Sequence, residues 1–307
     1  MTRDKRGMLL AMVFIAVWTL VELVAAGVLA RVSPFQVVWT RYVVHLLLML
    51  LLFWRRPSTL WRTSRPVYQL LRSLLMVGMP ASWIFAMQAG VDGGLLMAIF
   101  WISPLLVLVL ARLLLGEVAP AGIWIAAAIG WSGAFLVLGH VAMPASPMSL
   151  VLPLAMALSF SLYVVMTRAL RDEGTPANLF YSAGGVVLFL TPFMPVVWAT
   201  PAASDLVVMT AVGVLGFLSL LALDRMAAVA AVSRTAPVLY LQVPATIVLL
   251  TAAGAGGVTW RMAGGLLLIA FAAWLAWSRE HRVIDQAGRA GAPAVSNRTS
   301  VGSLHTP

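Results

Sequence analysis

The sequence predicts an all-α membrane protein with ten transmembrane helices arranged as an inverted five-plus-five repeat. Three observations carry that expectation. Of 307 residues, 62% are hydrophobic and 10% charged, and the mean hydropathy is +0.99. Soluble globular domains carry about 25% charged residues, and so little charge cannot cover a surface that faces water. The apolar residues gather into ten runs, each near the roughly 20 residues that a helix needs to cross a bilayer. Lys and Arg are distributed asymmetrically about those runs, as membrane topology demands.

The first run, 7–29, follows Arg3, Lys5 and Arg6 and includes Glu22; it is too long for a signal-peptide core and is expected to be a membrane helix. The second, 35–54, opens after Pro34. The basic connection Arg55 to Pro66, with Trp54 and Trp61, is expected to lie along the headgroup surface. The third is 68–88. The fourth, 93–114, follows a solvated turn at Asp92, contains Pro104 and closes at Gly116-Glu117 near Arg112. The fifth, 121–139, carries a ridge of Gly122, Ala126, Gly130 and Ala134 that permits close helix approach. The sixth to eighth are 148–168, 178–198 and 205–223, the eighth ending at Asp224-Arg225, which, like Arg112 with Glu117, is expected to anchor a cytoplasmic helix end. The ninth, 228–250, holds Arg234, Pro237 and Tyr240, and the tenth is 260–277. Residues 278–307 turn polar and are expected to form a disordered cytoplasmic tail; the sequon Asn297-Arg298-Thr299 within it reads as a chance match.

With the N-terminus inside, the inner segments hold sixteen Lys and Arg, counting Arg72 with the second connection, and the outer segments hold only Arg31 and Arg261. Both termini are therefore expected in the cytoplasm. The halves 7–139 and 148–277 resemble each other weakly: Pro104 corresponds to Pro237, Trp101 to Arg234, and Pro34 to Pro176. Five spans per half is odd, so the second half enters the membrane inverted. That is a transporter plan, with a site near the midplane and alternating access.

These residues resemble the drug/metabolite transporter superfamily, and within it the EamA-type transporters, over about 7–277. The resemblance rests on Pro104, on Gly116-Glu117, on the glycine-spaced fifth span and on Arg41, and also on the stretches TSRPVYQLLRSLLMVGMPASW (63–83) and APVLYLQ (236–242). It implies a ten-helix metabolite transporter of a bacterial-type cytoplasmic membrane, in a branch that includes S-adenosylmethionine importers. The second half departs from the pattern, with Leu250-Thr251 where an acidic pair is common.

Ionisable residues inside spans cost roughly 2.5–3.5 kcal/mol at the bilayer centre and point to function. Glu22 and Arg41 fall at similar depth, so an ion pair is reasonable; Glu22 is then a coupling or substrate-cation site governed by Arg41, or the two form a structural staple. His45 lies one turn from Arg41 and is expected to be a packing residue. Arg234 can bind a substrate carboxylate or snorkel to phosphates. Trp18, Trp83, Trp101, Tyr163 and Tyr240 are candidates to line the cavity, where aromatic walls beside an acid suit an onium or amine; the alternative for each is packing. Pro104 and Pro237 break helices near the midplane and are candidates for hinges or gates.

Other functions are narrowed by composition. The absence of cysteine excludes disulfides, thiolate zinc sites and a Cys nucleophile. The net charge of +10 sits in short loops and reads as topology, not as a nucleic-acid surface. No phosphate-cradling loop and no metal-type cluster is present, so no cofactor is expected. Gly130-Trp131-Ser132-Gly133 matches the GxSG of intramembrane serine proteases, with His45 and His140 available, but His140 is eight residues along the same helix, about 12 Å away. A channel or a scaffold is a further alternative. The reading is a secondary-active transporter of amino-acid-like or cationic and aromatic solutes, driven by protons or by exchange. The sharper alternative is S-adenosylmethionine uptake, with aromatics on adenine, Glu22 on the cationic end and Arg234 on the carboxylate. Lipids and a small-molecule substrate are the expected partners. Oligomeric state and direction stay open.

Overall fold

The computed structural model describes residues 2–139, 147–254 and 257–290. Among these residues, ten helices are long and apolar enough to cross a membrane: α1 (Arg3–Leu29), α2 (Pro34–Leu52), α3 (Pro66–Gln88), α4 (Gly93–Leu115), α5 (Ala121–Leu138), α6 (Met148–Ala169), α7 (Thr175–Val197), α8 (Ala203–Val229), α9 (Val232–Ala252) and α10 (Trp260–Ser278). Leu47, Leu51, Leu113, Leu188 and Leu267 stand exposed around the perimeter, the surface a bilayer requires. The chain is a multi-pass membrane protein, as composition predicts.

Local chemistry sets the helix ends. Asp92, placed by the sequence in a solvated turn, is exposed and also caps α4, its Oδ1 accepting the Leu95 N–H at 2.9 Å. Gly116 ends α4 with φ +67°, a left-handed conformation that glycine adopts without a Cβ penalty. The basic connection between α2 and α3 contains the short helix Ser58–Trp61, with Leu60 buried and Trp54 and Trp61 exposed. The terminal helix runs from Trp260 to Ala290, so the first residues of the expected tail continue α10; residues 291–307, with the sequon, lie outside the described residues, as does His140. Arg72, counted by sequence with the basic connection, is inside α3 and 1% exposed.

The inverted repeat is visible in which helices touch. Exchanging α1–α5 for α6–α10 turns α1 on α8 into α6 on α3, α2 on α8 into α7 on α3, and α1 on α9 into α6 on α4; α5 on α10 and α2 on α7 map onto themselves. All of these are major contacts. The packed units are therefore interleaved: α1, α2, α8 and α9 form one, and α3, α4, α6 and α7 form its mate. They do not coincide with the two halves of the sequence. The same exchange relates two interrupted spans. α4 breaks at Trp101-Ile102 between helices Gly93–Phe100 and Ser103–Leu115, and α9 passes through a 3-10 stretch, Ala236–Leu241. Pro104 sits in the first turn after the α4 interruption and Pro237 in the first turn of the 3-10 stretch itself, where a missing N–H is tolerated.

α5 and α10 pack against each other outside the units, and α5 packs against its neighbours through small residues. Gly122, Ala126, Gly130 and Ala134 are buried. Gly130 lies against the Tyr240 ring, and a Cβ on Gly133 would come within 2.8 Å of the Gly265 carbonyl oxygen. Ser132 is exposed and donates to the Ala128 carbonyl at 3.0 Å, while Gly130 and Gly133 of the same GxSG match pack against neighbouring helices.

Two outcomes follow from this packing. Gly133→Ala should lower stability by about 1–3 kcal/mol, because the obstructing atom is backbone. Gly27→Ala, with open space around it, should not; thermal unfolding in detergent separates them. Near the start of α3, the Ser64 N–H and hydroxyl donate to the Glu173 carboxylate, and chiefly the hydroxyl holds it below its ordinary pKa of 4.5. A lowered carboxyl pKa stabilises above the unfolded value and is lost as pH falls. Glu173→Gln should thus cost under about 1 kcal/mol at neutral pH and progressively less as pH falls below 4.5 through the lowered native value, read by the same melts.

Candidate functional site

Between the two interleaved units lies a cavity of about 350 Å³, walled by α1, α2 and α8 on one side and α3, α4 and α6 on the other. It opens at the end of the bundle that holds the α1–α2 and α3–α4 connections, where Leu29, Pro34, Trp83 and Met97 rim it. A smaller pocket of about 80 Å³ continues below it to Trp101, Pro104, Phe160 and Leu239. Trp18, Arg41, Met79, Pro80 and Phe100 line both. The α4 interruption and the neighbouring 3-10 stretch of α9 therefore form the floor.

Glu22 stands in the upper cavity. Its Oε1 accepts the Trp18 indole N–H and the Gln242 amide N–H, both at 2.9 Å. The (i, i+4) spacing of Trp18 and Glu22 along α1 makes the first bond local; the second ties α1 to α9. Arg41 is 9% exposed, with its guanidinium 5.3 Å from the Trp18 ring centroid and 4.7 Å from that of Tyr42. Its Nε has no hydrogen-bond partner. The expected Glu22–Arg41 ion pair does not form: the carboxylate takes the edge of the Trp18 indole while the cation takes its face. His45 is buried against Tyr42 and Phe217, with Nε2 unpartnered.

The structure distributes the other expected residues unevenly. Trp83 lines the upper cavity, and Trp101 and Pro104 line the lower. Tyr240 is fully buried beneath them, 6.1 Å from Trp101 between ring centroids, and reaches neither cavity wall. Tyr163 is 2% exposed and lies 5.1 Å under the Arg72 guanidinium, away from the cavities. Pro237 sits in the 3-10 stretch rather than on the wall. Arg234, expected to meet a substrate carboxylate, instead pairs with Asp4 at the far end of the bundle. Its place at the start of α9, beside the first turn of α1, puts Asp4 within reach and the cavity out of it.

That far end is closed by charged groups whose partners the sequence does not reveal. Glu117 pairs with Arg168 at 2.9 Å, not with Arg112, and its second oxygen accepts the Ser233 N–H at 3.0 Å. Arg168 also donates to the Ala227 and Ala228 carbonyls at 2.7 and 3.2 Å. These bonds join α4 and α6 of one unit to α8 and α9 of the other. A second network lies alongside. Buried Arg72 donates to Thr167, Gln69 and the Asn178 carbonyl at 2.6–2.9 Å. Asn178 in turn donates to Asp224 at 3.0 Å. Asp224 is 4% exposed, so it is a buried network member and not the surface anchor expected of a helix end. Gln69 and Arg72 at (i, i+3) inside a span are the signal that would have exposed this cluster. Among the described residues, no group of three His, Asp or Glu comes together as a metal ion would need.

Comparison with known proteins agrees with this architecture. Residues 5–139 match the EamA-like transporter family. An S-adenosylmethionine uptake transporter of Rickettsia felis is 28% identical over 69% of this chain and 72% of its own length. One of Rickettsia conorii is 26% identical over 71% of this chain and 74% of its own. A solved crystal structure superimposes with a TM-score of 0.76 at 21% identity, covering 90% of this chain and 98% of that one, and so shares the fold. Residues 5–139 are thus similar to an EamA-like transporter domain, and the chain, with ten helices among its described residues long and apolar enough to cross a membrane, is a multi-pass membrane protein built as an inverted repeat.

Proposed function

We propose that this chain is a secondary-active transporter that moves small amino-acid-like or cationic and aromatic metabolites across a bacterial-type cytoplasmic membrane by alternating access. One observation carries the reading: a cavity that opens at one end between two interleaved four-helix units, while bonds through Glu117 and Arg168 latch those units together at the other. With both termini cytoplasmic, as the charge asymmetry favours, the cavity faces outward and the latch faces the cytoplasm. Transport then requires the units to separate at the latch and close over the cavity, bending at the α4 and α9 interruptions near Pro104 and Pro237. The regions 7–139 and 148–277 act as the two inverted repeats. Glu22 is the acidic group that meets the substrate cation or a coupling proton, since it is the carboxylate on the cavity wall.

Uptake of S-adenosylmethionine is the sharper reading, and the names of the relatives favour it. So does the cavity, in which a carboxylate stands beside Trp18, Trp83 and Phe100, a setting that attracts a sulfonium.

Reconstituted into proteoliposomes, the protein should take up S-adenosylmethionine, amino acids or amines saturably, with and without a pH gradient distinguishing proton coupling from exchange. Glu22→Gln should reduce that flux by about tenfold or more. Well-folded protein that moves no solute would refute transport of this class, and flux without S-adenosylmethionine would replace the sharper reading. The latch is tested separately. The chain contains no cysteine, so Met76→Cys on the lower cavity wall gives a single reporter. Glu117→Gln should raise its labelling by an impermeant maleimide from the cytoplasmic face by about tenfold; an unchanged rate would remove Glu117 from the latch.

A further inference from the structure

Arg41 is a buried cation without a counter-ion. It is 9% exposed, and among the described residues the ion pairs are Arg31–Asp205, Arg168–Glu117, Arg171–Asp172 and Arg234–Asp4. Inside a span such a charge is costly unless it is paired or meets water in a cavity. Arg41 lines both cavities at their junction, so its open side faces the transport route.

Its surroundings hold it there. The Trp18 and Tyr42 rings cover it at 5.3 and 4.7 Å, a favourable contact for a guanidinium but one that leaves its charge uncancelled. Across from it, Gly216 of α8 leaves the space its stem occupies: a Cβ there would lie 2.8 Å from Arg41 Cδ and 3.1 Å from His45 Nε2. The nearest cavity carboxylate, Glu22, is already engaged by the Trp18 and Gln242 N–H groups. One indole thus donates its N–H to the acid and offers its ring to the cation.

We infer that Arg41 is the subsite for a substrate carboxylate, and that Arg41 and Glu22 together select a zwitterion, the free α-amino and α-carboxylate end of an amino-acid-like molecule. The guanidinium fork accepts a carboxylate bidentately, and Glu22 accepts the ammonium or another cationic centre on the far side of Trp18. The inference rests on the transport reading above and adds to it that a cationic amine without a carboxylate is a poor substrate.

The test is uptake into proteoliposomes of matched pairs that differ only in the carboxylate: methionine and 3-(methylthio)propylamine, phenylalanine and phenethylamine, S-adenosylmethionine and its decarboxylated form. At least one acid should be carried, and its amine at least about tenfold more slowly. Arg41→Gln should lower uptake of the acid by about tenfold or more, with Arg41→Lys intermediate because it keeps charge but not the fork. Gly216→Ala should act in the same direction by displacing Arg41 without removing it, and it decides the matter if Arg41→Gln is not monodisperse. Amines carried as fast as their acids, or acid uptake unchanged in Arg41→Gln and Gly216→Ala, would overturn the subsite and leave transport standing. No flux of either series would overturn both.

Discussion

A charge inside a bilayer must be covered by protein or by water, and this bundle does each at a different end. At the end of Glu117 and Arg168 the charges are covered by protein: carboxylate, guanidinium, backbone carbonyls and one backbone N–H satisfy each other across four helices. At the other end Glu22 and Arg41 face a cavity. The closed end can be closed because its charges are paired. At the open end Arg31 pairs with Asp205 near the surface, while deeper in the cavity Glu22 and Arg41 form no ion pair with each other.

Inversion of the repeat makes that asymmetry reversible in principle. The two packed units each draw helices from both halves of the chain, α1 and α2 with α8 and α9, and α6 and α7 with α3 and α4. Interleaving ties the halves together on the outside of the bundle while leaving a single seam between units, and the cavity and the latch both lie on that seam. The interruptions of α4 and α9 also meet it. Broken backbone inside a membrane is tolerated where protein buries it or a cavity lines it, and here both conditions hold at the cavity floor. The α5–α10 pair stands apart, packed through glycines whose contacts are too close for larger residues.

Much of this was legible in the chain. Ten apolar runs and the matching prolines at 104 and 237 specify spans and repeat, because hydropathy and helix breaking act locally and leave a one-dimensional trace. The candidates Trp18, Glu22, Arg41, Trp83, Trp101 and Pro104 all reach the cavities for the same reason: aromatic or ionisable residues and a proline within a span are unusual enough to be seen singly.

Pairing was not legible. Depth along two helices placed Glu22 near Arg41, yet the carboxylate bonds to Trp18 and Gln242 while the guanidinium lies over the Trp18 and Tyr42 rings. Arg234 looked poised for a carboxylate until the fold brought Asp4 to it, some 230 residues earlier in the chain. Arg72 and Asp224 looked like surface charges until α3, α6, α7 and α8 closed around them. The sequence by itself determined which segments are apolar and long enough to cross the membrane and with what internal symmetry they repeat. Only the tertiary structure decided which charge meets which, because a partner is set by the azimuth of two helices about their own axes, and hydropathy leaves that rotation unmarked.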